Sequence, residues 1–139
     1  MKLTPYESVD AYVFGSKQAR INKAAGKAPV VEKDDIMEEI REIRGNITCT
    51  YIEKKLADVI IVKEDELQVG DIDIFNDADA IAKLEQTYTA TRNSKGTHML
   101  FAELGLCLGG FTGKKVPEGR IAICFSRERL DFYEIYLEM

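Results

Sequence analysis

The chain has no tryptophan, three prolines, three cysteines and a single histidine in 139 residues. Each shortage removes a class of explanation. Cys49, Cys107 and Cys124 form no CxxC pair, and His98 stands alone, so no zinc or iron–sulfur site is expected. An odd number of cysteines, each beside apolar residues, reads as reduced, buried small hydrophobes rather than a disulfide framework. No run approaches the roughly 18 apolar residues that a membrane-crossing helix needs. The opening MKLTPYESVD lacks the apolar core of a signal peptide. Together these predict a cytoplasmic chain with no membrane partner. A net charge of -5 also disfavours a nucleic acid polymer, which calls for clustered Lys and Arg.

What remains is an ordinary globular composition, 45% apolar and 31% charged, enough for one domain over residues 1–139. Asp10 to Ser16 reads as a first strand ending in a turn at Gly15. Residues 17–33 are basic, through Lys17, Arg20, Lys23 and Lys27, and fit a short helix or a loop. Asp34 or Asp35 can cap a helix running to about Arg44, with Ile36, Met37, Ile40 and Ile43 as its apolar stripe. A second helix is predicted over Thr50 to Leu56. Ala57 to Val62 then forms a continuous β-branched run suited to a central parallel strand covered on both faces.

Seven acids and no base lie between Glu64 and Asp79 (Glu64, Asp65, Glu66, Asp71, Asp73, Asp77, Asp79), a solvated excursion with room for a short edge strand. Ala78 to Thr91 is helical in spacing, and Asn93 to Gly96 is a loop. Thr97 can cap a helix from His98 to Leu108. Arg120 to Phe125 is a last buried strand, and Leu130 to Met139 is an aromatic, acidic tail, helical or extended. Alternating strands and helices predict an α/β, three-layer domain with a mostly parallel sheet. Ligands of such folds sit beyond the carboxyl ends of the strands.

One carboxylate stands out. Glu103 falls midway along the apolar run Phe101 to Gly109, where a helix gives it only Met99, Leu100, Leu106 and Cys107 as neighbours. An unpaired buried carboxylate is costly, so Glu103 either opens on a polar cleft or answers a cation from elsewhere in the fold.

Tyr12-Val13-Phe14-Gly15, Asp58 at the head of its strand, Glu103-Leu104-Gly105 and Asp131-Phe132-Tyr133-Glu134 occur in an order that resembles the nucleoside 2-deoxyribosyltransferase family. The resemblance implies a flavodoxin-like sheet and cleavage or transfer at the N-glycosidic bond of deoxynucleosides or their monophosphates, with no cofactor and no metal. It implies Glu103 as nucleophile, Asp58 as substrate contact and Tyr12 as the group orienting the nucleophile. It also implies a homo-oligomer whose subunit interface completes the site, with Asp131, Tyr133 and Glu134 closing the neighbour's pocket. Gly15, Ser16, Gly96, Thr97 and His98 are further candidates for substrate contact at the rim. His98, titrating near neutrality, is a candidate acid. The chemistry is coherent, because one carboxylate can trap an oxocarbenium-like centre while a second protonates the departing base. The alternative is a noncatalytic nucleotide-binding or assembly module of the same fold.

Overall fold

A computed structural model describes residues 1–62, 66–113, 117 and 119–138. Its centre is an eight-stranded sheet in which every neighbouring pair is antiparallel. One meander comprises β4 (Val30–Asp34), β5 (Glu39–Arg44), β6 (Ile47–Ile52) and β7 (Lys55–Val62). The other comprises β10 (Thr91–Arg92), β11 (His98–Phe101), β12 (Leu106–Gly109) and β13 (Ile121–Phe125). They join where β13 pairs with β7, in the order β10-β11-β12-β13-β7-β6-β5-β4. The protein is an α/β domain on a large antiparallel sheet. This overturns the mostly parallel, flavodoxin-like three-layer arrangement.

Both faces of the sheet are covered near its middle. On one face sit a small sheet of β1 (Leu3–Thr4), β2 (Ser8–Val9) and β3 (Tyr12–Val13), helix α1 (Gln18–Ala25), the hairpin of β8 (Gln68–Val69) and β9 (Ile72–Asp73), and helix α2 (Ala80–Glu85). Val9, Ile21, Leu67, Ile74 and Leu84 from these pieces bury against Cys49, Val59, Ile61, Met99 and Leu108. On the other face helix α3 (Leu130–Glu138) buries Tyr133 and Leu137 against Leu100, Cys107, Ile123 and Phe125. Strand residues alternate between the two cores, so β7, β12 and β13 are apolar at nearly every position.

Double coverage explains the strands the sequence reading took for helices. Over 98–109 both faces need apolar residues, which leaves no period to read. The chain forms a hairpin there, with Phe101 opposite Leu106. Over 34–44 the helical stripe spans a turn: Ile36 and Met37 are at the tip and exposed, while Ile40 and Ile43 face opposite sides of β5. Asp34 does accept N–H groups as a cap would, from Ile36 at 3.1 Å and Met37 at 3.2 Å, but it closes the hairpin turn. The helix expected over Thr50 to Leu56 is the turn between β6 and β7, with Glu53 and Lys54 at positive φ. The strands at 57–62 and 120–125 are where expected, the tail is helix α3, residues 17–33 hold helix α1 followed by most of strand β4, and α2 is shorter than its pattern. The acidic segment's Glu64 and Asp65 lie outside the described residues, and the rest carries the β8–β9 hairpin.

Gly105 closes the β11–β12 turn at φ +62, and a Cβ there would meet Tyr6 Cε1 at 2.9 Å and the Phe125 carbonyl oxygen at 3.0 Å. Gly105→Ala therefore combines left-handed backbone strain with overpacking and is expected to cost about 2–4 kcal/mol in urea denaturation. A loss below about 0.5 kcal/mol would contradict this packing.

Candidate functional site

Asp58 is the most deeply buried carboxylate on α3's side of the sheet, at 1% exposure. Its position follows from register: it lies opposite Thr50 on β6 and Phe125 on β13. Tyr133 of α3 donates its hydroxyl to Asp58 Oδ2 at 2.7 Å, and Arg129 Nη2 stands 3.6 Å from the same oxygen. Arg129 comes from the 3-10 turn Arg127–Arg129 that leads into α3, and its guanidinium lies 3.9 Å from the centroid of the Phe132 ring. The Tyr133 ring stacks on Phe125 at 4.6 Å.

Desolvation pushes the Asp58 carboxyl above its ordinary value, against the pull of Tyr133, Thr50 and Arg129. The Tyr133 hydroxyl is driven up as well, by burial and by the carboxylate it faces. Asp58 Oδ1 and Arg129 Nε make no hydrogen bond among the described residues. This group latches the carboxy-terminal helix to the middle of the sheet. Beside it lies a cleft of about 470 Å³ between the Gly15 turn, Lys55 and the Ser126–Arg129 segment.

A second buried carboxylate, Glu42 on β5, serves the opposite face. Its Oε1 accepts the Tyr51 hydroxyl at 2.6 Å and faces Arg44 Nη2 at 3.3 Å, and its Oε2 accepts from Gln18 at 3.1 Å. Arg44 also donates to the Gly26 carbonyl at 2.6 Å and to Asn22 at 2.8 Å, capping the carboxyl end of α1. Both carboxylate oxygens are satisfied, and the cluster fixes α1 on the sheet. Arg129 and Glu42 were not singled out from sequence. The one legible signal for Glu42 is an acid flanked by Ile40 and Ile43.

The expected catalytic set does not come together. Glu103 is exposed at the β11–β12 turn, where its Oε1 accepts the Thr89 backbone N–H at 3.0 Å. Tyr12 packs on the core that contains Cys49, with Arg44 and Glu42 nearby, and burial raises its hydroxyl pKa. Cys49 is opposite Val59 and Thr50 opposite Asp58, so Tyr12 and Asp58 lie on opposite faces of one sheet.

Of the remaining candidates, Tyr133 meets Asp58 within the same chain, while Asp131 and Glu134 are exposed on α3. Gly15 and Ser16 splice their turn to β7: the Gly15 N–H donates to Leu56 O, and the Leu56 N–H donates to Ser16 O, both at 2.8 Å. Gly96 and Thr97 belong to the β10–β11 turn, and His98 opens β11 opposite Gly109. Asn93 Oδ1 accepts the backbone N–H groups of Thr97 at 2.9 Å and His98 at 3.0 Å, and the Thr112 hydroxyl reaches the Gly96 carbonyl. The His98 ring meets Tyr136 edge-on at 5.6 Å.

Cys49, Cys107 and Cys124 are free and buried, and desolvation pushes the Cys49 and Cys107 thiols up to about 12. Among the described residues no group of three or more His, Cys, Asp and Glu could hold a metal ion, and no helix is long and apolar enough to cross a membrane.

A further surface feature is the β4–β5 hairpin at the end of the sheet. All five residues of β4 are exposed. A cleft of about 590 Å³ at its tip gathers five carboxylates, Asp34, Asp35, Glu38, Glu39 and Glu53, against the ammonium groups of Lys33 and Lys54. No protein-family model, curated protein or solved structure matches the chain.

Two outcomes follow from this geometry. Ionising Asp58 costs more folded than unfolded, so the native state binds more protons and stability contributed at this position falls as pH rises from 3.8 towards the raised folded value. Asp58→Asn keeps an acceptor for Tyr133 and lacks that titration. Wild-type stability relative to the variant should therefore decline as the pH rises above 3.8 in urea melts, and a constant difference would contradict the burial. Glu103→Gln should shift stability by less than about 0.5 kcal/mol, as expected of an exposed turn residue.

Proposed function

We propose that this chain is a noncatalytic protein-interaction module that works through the open edge of its sheet at β4. One observation carries the reading. The eight-stranded sheet ends in a five-residue strand that no element covers among the described residues, and Val30 and Val31 on it are 48% and 44% exposed. The adjoining tip adds Ile36 and Met37 at 93% and 66% exposure. A long edge with free N–H and C=O groups is a template for another strand, and proteins ordinarily shorten, bulge or cover it. The opposite edge is shortened, to Thr91 and Arg92 of β10. Strand addition derives affinity from main-chain hydrogen bonds and specificity from alternate side chains.

N-glycosidic chemistry calls for two carboxyl groups about 5–9 Å apart around the sugar. Glu103 is held by the Thr89 backbone and Asp58 by Tyr133, which supports the binding reading over catalysis. A cytoplasmic setting suits three buried free thiols, and the net charge of -5 suits a protein rather than a nucleic acid or anionic membrane partner.

Selection from a random linear peptide library tests the proposal. Enriched peptides should bind the wild type and lose binding to Val31→Pro, while Phe132→Ala on α3 leaves binding intact. Peptides indifferent to the β4 variant would contradict it. So would release of free base from deoxynucleosides that disappears in Glu103→Gln.

A further inference from the structure

We infer that the segment received by β4 runs antiparallel to it and reads basic, acidic, basic, apolar, apolar from its amino end. This rests on the edge-docking reading above and specifies its ligand. Parity sorts the β4 side chains. Val31 and Lys33 lie opposite Glu42 and Ile40, so they share the face that buries Tyr51. Val30, Glu32 and Asp34 lie opposite Ile43, Arg41 and Glu39 on the other face. Among the described residues Glu32, Lys33 and Asp34 enter no ion pair. Asp34 Oδ1 closes the hairpin turn and Glu32 faces Arg41 across the ladder, but all three side chains are exposed and can also face an incoming strand.

An antiparallel neighbour places successive residues opposite Asp34, Lys33, Glu32, Val31 and Val30. Opposite charges directly across a ladder are stabilising and like charges destabilising, by about 0.2–1 kcal/mol a pair. Apolar residues across from Val30 and Val31 remove their exposed surface from water. The sheet is antiparallel throughout, and antiparallel ladders are the stronger per residue. The excess of carboxylates at the hairpin tip favours a basic amino end on the incoming segment.

The same charges reject a second copy of this chain. A two-fold antiparallel pair must centre one residue on its own copy. Centred on Glu32 or on Lys33, it sets like charges face to face. Centred on Val31, it brings Pro29, which has no N–H, into the ladder opposite Lys33.

Fluorescence anisotropy at low salt tests this with three labelled peptides in Gly/Ser flanks. Their cores are Lys-Glu-Lys-Val-Val, the charge-swapped Glu-Lys-Glu-Val-Val and the reversed Val-Val-Lys-Glu-Lys. The first should bind the full chain about tenfold more tightly than the second, the difference expected of several reversed cross-strand pairs. The double variant Glu32→Lys, Lys33→Glu, on exposed positions and sparing the Asp34 turn contacts, should invert that order. Equal binding of the first two, preference for the reversed core, an unchanged order in the double variant, or β4-dependent dimerisation in sedimentation would each overturn the inference. If library peptides of another pattern still require β4, the pattern falls and edge docking stands. If no peptide of either set depends on β4, both fall.

Discussion

The register between β6 and β7 decides what this molecule can assemble. By setting Cys49 against Val59 and Thr50 against Asp58, it sends neighbouring polar and apolar side chains to opposite cores. A shift of one residue would exchange the two sets. In the observed register Asp58 meets α3, while Glu42, Tyr51 and Tyr12 belong with α1 and the small amino-terminal sheet. Two buried carboxylates thus serve two separate attachments, one for each covering layer.

These attachments share a physical logic. Each carboxylate is costly to desolvate, and each is answered by a tyrosine hydroxyl and an arginine. Tyr133 and Arg129 carry the helix that they fasten, and Arg44 crosses from the sheet to cap the helix that it fastens. Apolar burial supplies the bulk of cohesion, while the polar pairs choose where each helix sits.

The sequence was most legible where a strand is β-branched and central, at Ala57 to Val62 and Arg120 to Phe125, and at turns such as Gly15 and Asn93 to Gly96. It misled where both faces are buried. Leu100, Phe101, Leu106 and Cys107 alternate between two cores, so their run offered neither helical nor strand periodicity. It misled again at Asp34, whose capping chemistry serves a hairpin as well as a helix. The family resemblance linked Tyr12, Asp58 and Glu103 by their order in the chain. Order carries no information about sheet direction or parity, and those separate them. Asp58 and Tyr133 were both noticed, but their pairing needs the β7–α3 contact that only the fold supplies. Arg129 sits in a charged run, Arg127-Glu128-Arg129, that reads as solvated surface.

On the proposed reading, binding falls to the edge of the sheet, where among the described residues β4 pairs with β5 on one side alone. That conclusion depends on the two faces being energetically separate, and paired double-mutant cycles in urea denaturation measure this most directly. Asp58→Ala combined with Tyr133→Phe should show a coupling of about 0.5–3 kcal/mol, whereas Asp58→Ala combined with Tyr12→Phe should be additive within about 0.5 kcal/mol. Strong coupling of Asp58 to Tyr12, with none to Tyr133, would place them on one face and contradict the account.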